Sequence, residues 1–256
     1  MNALVFPSRR NAMRAAVVLA AALLASAVVH AQNGDNGKKV LRLAFTKAET
    51  TFDPAKVSDL YSRTITPHIF EGLYTYDHLA RPPKIKPLTA AGMPQASSDF
   101  KTWTVKLEPG IHFQSDPAFA GAKRELVADD YVYSIKRFVD PANKSPSSAY
   151  ILDFKLLGLK ALHEKALQDR KPFDYDTPVE GLRALDRYTI QFTMEKPDPR
   201  FVGKLAQGDL IGAVAREVVE HYGTDSVGAH PIGTGPFRLK SWRRSSRIVL
   251  ERNPGF

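Results

Sequence analysis

The sequence predicts an α/β domain with a mixed sheet, set behind a removable export segment. Three observations carry this. Runs that alternate apolar and polar residues, "KTWTVKL" and "YTIQFTMEKP", read as half-buried strands. Runs with apolar residues three and four apart, "ADDYVYSIKRFVDP" and "LGLKALHEKALQDR", read as amphipathic helices. The two kinds are interleaved without strict alternation, and 18 prolines and 16 glycines break the 256 residues with many turns.

In chain order, residues 1–31 read as a secretory signal peptide. Arg9, Arg10 and Arg14 form a positive front, and Ala15 to Val29 is uncharged and mostly apolar. Val29-His30-Ala31 places small residues where signal peptidase reads, so cleavage falls before Gln32. A membrane anchor would need about 20 apolar residues. Gln32 to Lys39 is a polar, flexible leader. "KVLRLAFT" alternates as a strand, and the Asp53-Pro54 step follows. "SDLYSRTITPHIFEGLYTYD" reads as helical, with Ile65, Ile69 and Leu73 on one face. Pro67 removes a donor, which predicts a second helix capped by Thr66.

"KTWTVKL" points Trp103, Val105 and Leu107 one way, and Glu108-Pro109-Gly110 turns it toward "IHF". The next helix has Asp129 and Asp130 at its positive N-terminal end, with Val132, Ile135 and Val139 on a shared face. Asp140-Pro141 stops it, and "NKSPSSAY" reads as a loop. Leu159, Leu162 and Ala166 share a face of the following helix. Ile190, Phe192 and Met194 alternate along a strand. "AREVVEHYG" is a short helix ending at Gly223, and "FRLKSW" and "RIVLERN" are strands joined by "RRSS".

Composition narrows function by exclusion. The net charge of +9 admits nucleic acid, anionic membrane or acidic ligands. Basic residues are scattered, however. The densest group, Arg243, Arg244 and Arg247, accompanies no nucleic-acid-binding pattern, so a solvated basic surface and no nucleic-acid partner are expected. With no cysteine there is no disulfide, thiolate metal site, cysteine nucleophile or lipid-modified cysteine. An exported chain of this kind suits a periplasm, with a large core in place of disulfides.

Catalytic and metal motifs are missing. His163-Glu164 begins like H-E-x-x-H, but Leu167 stands where the second histidine belongs. Asp174 and Asp176 depart from a calcium loop at Thr177-Pro178, His68 and His78 have nothing to fix them together, and no G-x-S-x-G elbow occurs. No cofactor and no metal are expected. Gly233-Thr234-Gly235-Pro236 precedes a strand rather than a helix, and Pro236 has no amide hydrogen for a phosphate. It reads as a structural turn in which Gly233 and Gly235 allow positive φ and Pro236 fixes its own.

"IFEGLYTYD", "WTVKLEPGIHF", "LVADDYVYSIKRFVDP", "PIGTGPFRLKSW" and "IVLERNPGF" stand in one order along nearly the whole mature chain. This set resembles the solute-binding proteins of peptide-type ABC importers, the family 5 class that includes oligopeptide- and dipeptide-binding proteins. The resemblance implies the first lobe of a two-lobed periplasmic binding fold, residues 40–256, with the second lobe and the returning C-terminal strands missing. It implies capture of peptides or similar solutes in an inter-lobe cleft, delivery to membrane permease subunits, and no catalysis. An exported hydrolase is the alternative. In the family's oligopeptide binders, the segment after the D-P step offers main-chain groups to the peptide. Here that segment is Val57, Ser58, Asp59, Leu60 and Tyr61. Ser58 or Asp59 would also suit as cap of a helix starting at Leu60. Two departures stand out: Val127 where the family often has a capping Thr or Ser, and the long loop "SDPAFAGAKREL".

Overall fold

A computed structural model of the chain describes residues 39–169 and 171–256. The expected signal peptide (1–31) and all but the last residue of the leader (32–39) lie outside the described residues. The chain divides into two units, Met1–Phe45 and Thr46–Phe256. In the first, residues 39–45 form no strand, and Val40, Leu41 and Leu43 are exposed. The strand expected of "KVLRLAFT" is therefore absent. A strand exists through its ladder to a neighbour, and alternation in sequence supplies no neighbour.

The second unit opens with an irregular stretch and a turn over residues 53–57, then helix α1 (Leu60–Ile69). Contrary to the expected break, α1 is one continuous helix with Pro67 in its last turn. Near the C-terminal end a missing amide costs one bond, and the Phe70 N–H closes the helix on the Thr66 carbonyl at 2.9 Å. Thr66 is buried inside the helix and caps nothing. The tail of the helical-looking run instead forms strand β1 (Tyr74–Asp77), paired antiparallel with β2 (Lys84–Pro87).

The main sheet has the order β3-β4-β6-β5, built from β3 (Gln95–Ala96), β4 (Thr102–Lys106), β5 (Leu182–Asp186) and β6 (Thr189–Thr193). Register places Trp103 opposite Phe192 and Val105 opposite Ile190, all buried. These are the inward positions the alternation predicts, each stabilising the fold by about 1.5–3 kcal/mol. Every ladder among the described residues is antiparallel, so the mixed strand directions expected of the sheet are not found there.

Helix α2 (Ala128–Val139) packs on β5 and β6 and is buried along almost its whole circumference, Asp129 excepted. Val127 has no polar side-chain atom to cap it. The Asp130 carboxylate accepts from the Val127 N–H at 2.8 Å instead, one half of a capping box. The expected loop "NKSPSSAY" contains a short helix, α3 (Ser148–Leu152), ahead of α4 (Leu159–Asp169). Helices α5 (Phe201–Leu205) and α6 (Arg216–Tyr222) follow, the latter ending at Gly223 as expected. The hairpin of β7 (Phe237–Arg243) and β8 (Arg247–Arg252) closes the chain. The loop "SDPAFAGAKREL" is ordered by a 3₁₀ turn at Pro117–Phe119, which Asp116 caps.

Candidate functional site

The segment after Asp53-Pro54 is held by a buried anchor. The Asp53 carboxylate accepts two hydrogen bonds from Arg137 of α2, Nη1 at 2.7 Å and Nη2 at 2.8 Å, and both side chains are only 1% exposed. The same carboxylate accepts from the Ala55 N–H at 3.1 Å, and the Asp53 carbonyl accepts from Lys56 and Val57 at 2.9 and 3.1 Å. Ala55 and Val57 pack into the core, and Phe52 packs on the Trp242 ring at 4.6 Å. The outcome is a turn held on several sides, which leads into residues 57–61.

Those residues divide into two kinds. Val57 is core. Ser58 is exposed, and among the described residues neither its N–H nor its carbonyl is paired within the chain. Asp59 caps α1, accepting from the Ser62 N–H at 2.8 Å and from the Thr50 hydroxyl at 2.5 Å. Leu60 begins the helix 71% exposed, a large apolar side chain left in solvent. Tyr61 is half-buried, with its hydroxyl hydrogen-bonded to Thr46. The stretch thus offers free main chain at Ser58, an apolar side chain at Leu60 and an aromatic wall at Tyr61.

Partial burial pushes the Asp59 carboxyl up, but hydrogen bonds from Ser62 and Thr50 outweigh it and hold it below the ordinary aspartate range. Asp59→Ala is expected to cost about 1 kcal/mol at neutral pH. A carboxyl whose folded value is depressed contributes fully above its unfolded value and loses that contribution as pH falls through the folded one. Parent and variant should therefore converge in acid. Urea midpoints across that range check this, and a gap independent of pH would contradict it.

The Gly233-Thr234-Gly235-Pro236 turn sits at the opposite end of α1, ~15 Å of helix away. Neither glycine takes the left-handed conformation, so the expected need for positive φ is corrected. What the position demands is closeness. A Cβ on Gly233 would lie 2.1 Å from the Ile69 carbonyl oxygen, and one on Gly235 2.7 Å from it. The Gly235 N–H donates to that same carbonyl at 2.8 Å, capping the C-terminus of α1. Asn253 then ties the turn to the end of β8, through its side chain to the Gly235 carbonyl at 2.9 Å and its N–H to Pro236 at 2.7 Å. Helix α1 is thus pinned at both ends, by Arg137 through the Asp53 turn and by the glycine turn.

A separate cavity of about 380 Å³ lies along α1, lined among others by Arg63, Pro67, Phe70 and Tyr76. It includes none of residues 57–61. Among the described residues no group of three or more His, Asp or Glu could hold a metal ion, and no helix is long and apolar enough to cross a membrane. Arg137, the residue that organises the segment, was missed in the sequence. It sits in a helix that reads as amphipathic, beside Lys136, where two adjacent cations suggest solvent.

Residues 84–256 match the family model described as bacterial extracellular solute-binding proteins, family 5 Middle. The chain belongs to the family 5 solute-binding proteins. Among relatives of this family, the periplasmic oligopeptide-binding protein OppA of Salmonella typhimurium is 29% identical over 80% of this chain and 34% of its own length. The chain therefore spans about a third of the length of that relative. An oligopeptide ABC transporter substrate-binding domain of Bacillus anthracis matches in fold, with TM-score 0.70 and 22% identity over 86% of this chain and 39% of that one. OppA of Haemophilus influenzae, solved in complex with RPPGFSPFR, matches with TM-score 0.66 and 26% identity over 81% of this chain and 37% of that one. The family 5 fold expected from the ordered motifs is the fold present.

Proposed function

We propose that this chain is the N-terminal lobe of the substrate-binding component of an ABC importer, capturing peptides or similar solutes in a cleft closed by a second lobe. The observation that carries the reading is the anchored turn at Asp53, which projects the unpaired main chain of Ser58 beside Leu60 and Tyr61. Peptides of varied sequence share only their backbone, so backbone donors and acceptors are the economical way to hold them. Membership of family 5 and the peptide in the Haemophilus influenzae complex support the ligand class. Residues 1–31 act as a signal peptide, 32–39 as a leader and 40–256 as the incomplete lobe. The mature protein works in the periplasm, without a lipid-modified cysteine, and hands its cargo to the permease subunits. Capture is a hinge closure with no bond made or broken. The hydrolase alternative has no support in the family or the relatives.

Calorimetric titration of the complete protein, this chain with whatever its gene encodes beyond it, tests the reading. Mixed di- to oligopeptides should release or absorb heat and raise the melting midpoint. No heat and no shift would sink the peptide ligand. Ser58→Ala should bind as the parent does. Ser58→Pro, which removes the N–H, should weaken binding about tenfold, the loss of one hydrogen bond of ordinary strength.

A further inference from the structure

The β7–β8 hairpin obeys charge pairing at its base and breaks it at its tip. Near the base Arg238 faces Glu251 across the ladder and donates to it at 2.8 Å, with Lys240 at 3.5 Å from the same carboxylate. At the tip Arg243 stands directly opposite Arg247, and Arg244 lies in the turn between them. Like charges directly opposite each other destabilise a hairpin. Among the described residues none of the three arginines has a salt-bridge partner. The turn residue Ser245 is also in the left-handed region, with φ 58°.

The tip is nevertheless held in place. The Trp242 indole N–H donates to the buried Glu49 carboxylate, and the Ser245 N–H donates to the same oxygen at 3.2 Å. Trp242 packs on Phe52 behind it. Glu49, the carboxylate beside the tip, is thus engaged with Trp242 and Ser245 rather than with the guanidinium groups. Residues 243–247 are all exposed, and none is apolar.

We propose that this tip docks on the anionic surface of a lipid bilayer. A protein partner calls for an apolar centre within the contact, which the tip lacks. A convex point of three like charges with no fixed partner fits a plane of diffuse negative charge, where each cation contributes independently of register. The cross-strand repulsion, unfavourable in the free protein, is relieved when that plane lies against the tip. The three arginines share no residue with the candidate segment Val57–Tyr61, so the importer reading can fail while this one stands.

The test is sedimentation of the full chain with vesicles at physiological ionic strength. Parent protein is compared with R243A/R244A/R247A and with the triple Arg→Lys variant, on phosphatidylcholine alone and on phosphatidylcholine mixed with phosphatidylglycerol. Because the variants share residues 1–31 with the parent, comparing them on the same vesicles isolates the tip from that segment and its Arg9, Arg10 and Arg14. The parent should favour the anionic vesicles, the alanine variant should lose partitioning on the order of 100-fold, and the lysine variant should keep most of it. The alanine variant should melt at or above the parent's midpoint, since it removes repulsion. Equal partitioning of parent and alanine variant would overturn the proposal, as would equal binding of the parent to both vesicle types. Loss of binding to duplex DNA or to an acidic protein, with vesicle binding unchanged, would also overturn it.

Discussion

Arg137→Met should destabilise the folded chain by about 3–5 kcal/mol, because it leaves the Asp53 carboxylate buried without its counter-charge. The pair is inside the protein, with both side chains 1% exposed and both guanidinium nitrogens at 2.7–2.8 Å from the carboxylate oxygens. Removing one partner is costly where removing both is not. Asp53→Asn in the Arg137→Met background should therefore recover a large part of the loss. The damage should also reach the candidate site, since the same carboxylate holds the Ala55 N–H and the turn that presents Ser58. Urea unfolding of the two single variants and the double variant measures the coupling. A single variant within about 1 kcal/mol of the parent would mean that water reaches the pair, in which case the anchor is much weaker than its geometry implies.

Gly233→Ala is the second large effect, roughly 3 kcal/mol of destabilisation. The added carbon would meet the Ile69 carbonyl oxygen at 2.1 Å and the Ile69 carbonyl carbon at 2.7 Å, both backbone atoms at the end of α1. No rotamer change relieves such a clash, so either the turn or the helix end must move. Gly92→Ala is the matched control, since nothing lies within 4 Å of its would-be Cβ, and it should stay near the parent. Thermal midpoints of the two variants decide. An unperturbed Gly233→Ala would show that the turn and α1 can separate freely, contrary to a helix pinned at both ends.

The helix start beside the candidate segment was legible. Val57–Tyr61 came from the family resemblance at Asp53-Pro54, and within it the structure makes Asp59 the cap of a helix beginning at Leu60, as local chemistry anticipates. What anchors the segment was not legible. Arg137 is 84 residues from Asp53, and no local pattern announces that a cation between Lys136 and Phe138 will be buried. Lys136 is buried for a related reason, its ammonium donating at 2.8 Å to both the Tyr175 and Thr177 carbonyls. The turn glycines illustrate the same limit. They read as residues needed for positive φ, but neither takes it, and the cause is the approach of another chain segment.

Strong alternation and strong three-four spacing determined the elements that stand on their own pattern: β4, β6, α2, α4, α6 and the β7–β8 hairpin. The ordered motifs determined the family. Tertiary structure alone decided the rest. It turned "YTYD" from helix to strand by pairing it with β2, and it gave "LRALD" a place at the sheet edge although its burial scarcely alternates. It denied "KVLRLAFT" a ladder, and it chose which cation to bury and which three to leave facing solvent. The division has a physical cause. Periodicity and caps are set by neighbours within a turn or two of the chain, whereas pairing, burial and close approach are set by residues that only folding brings together.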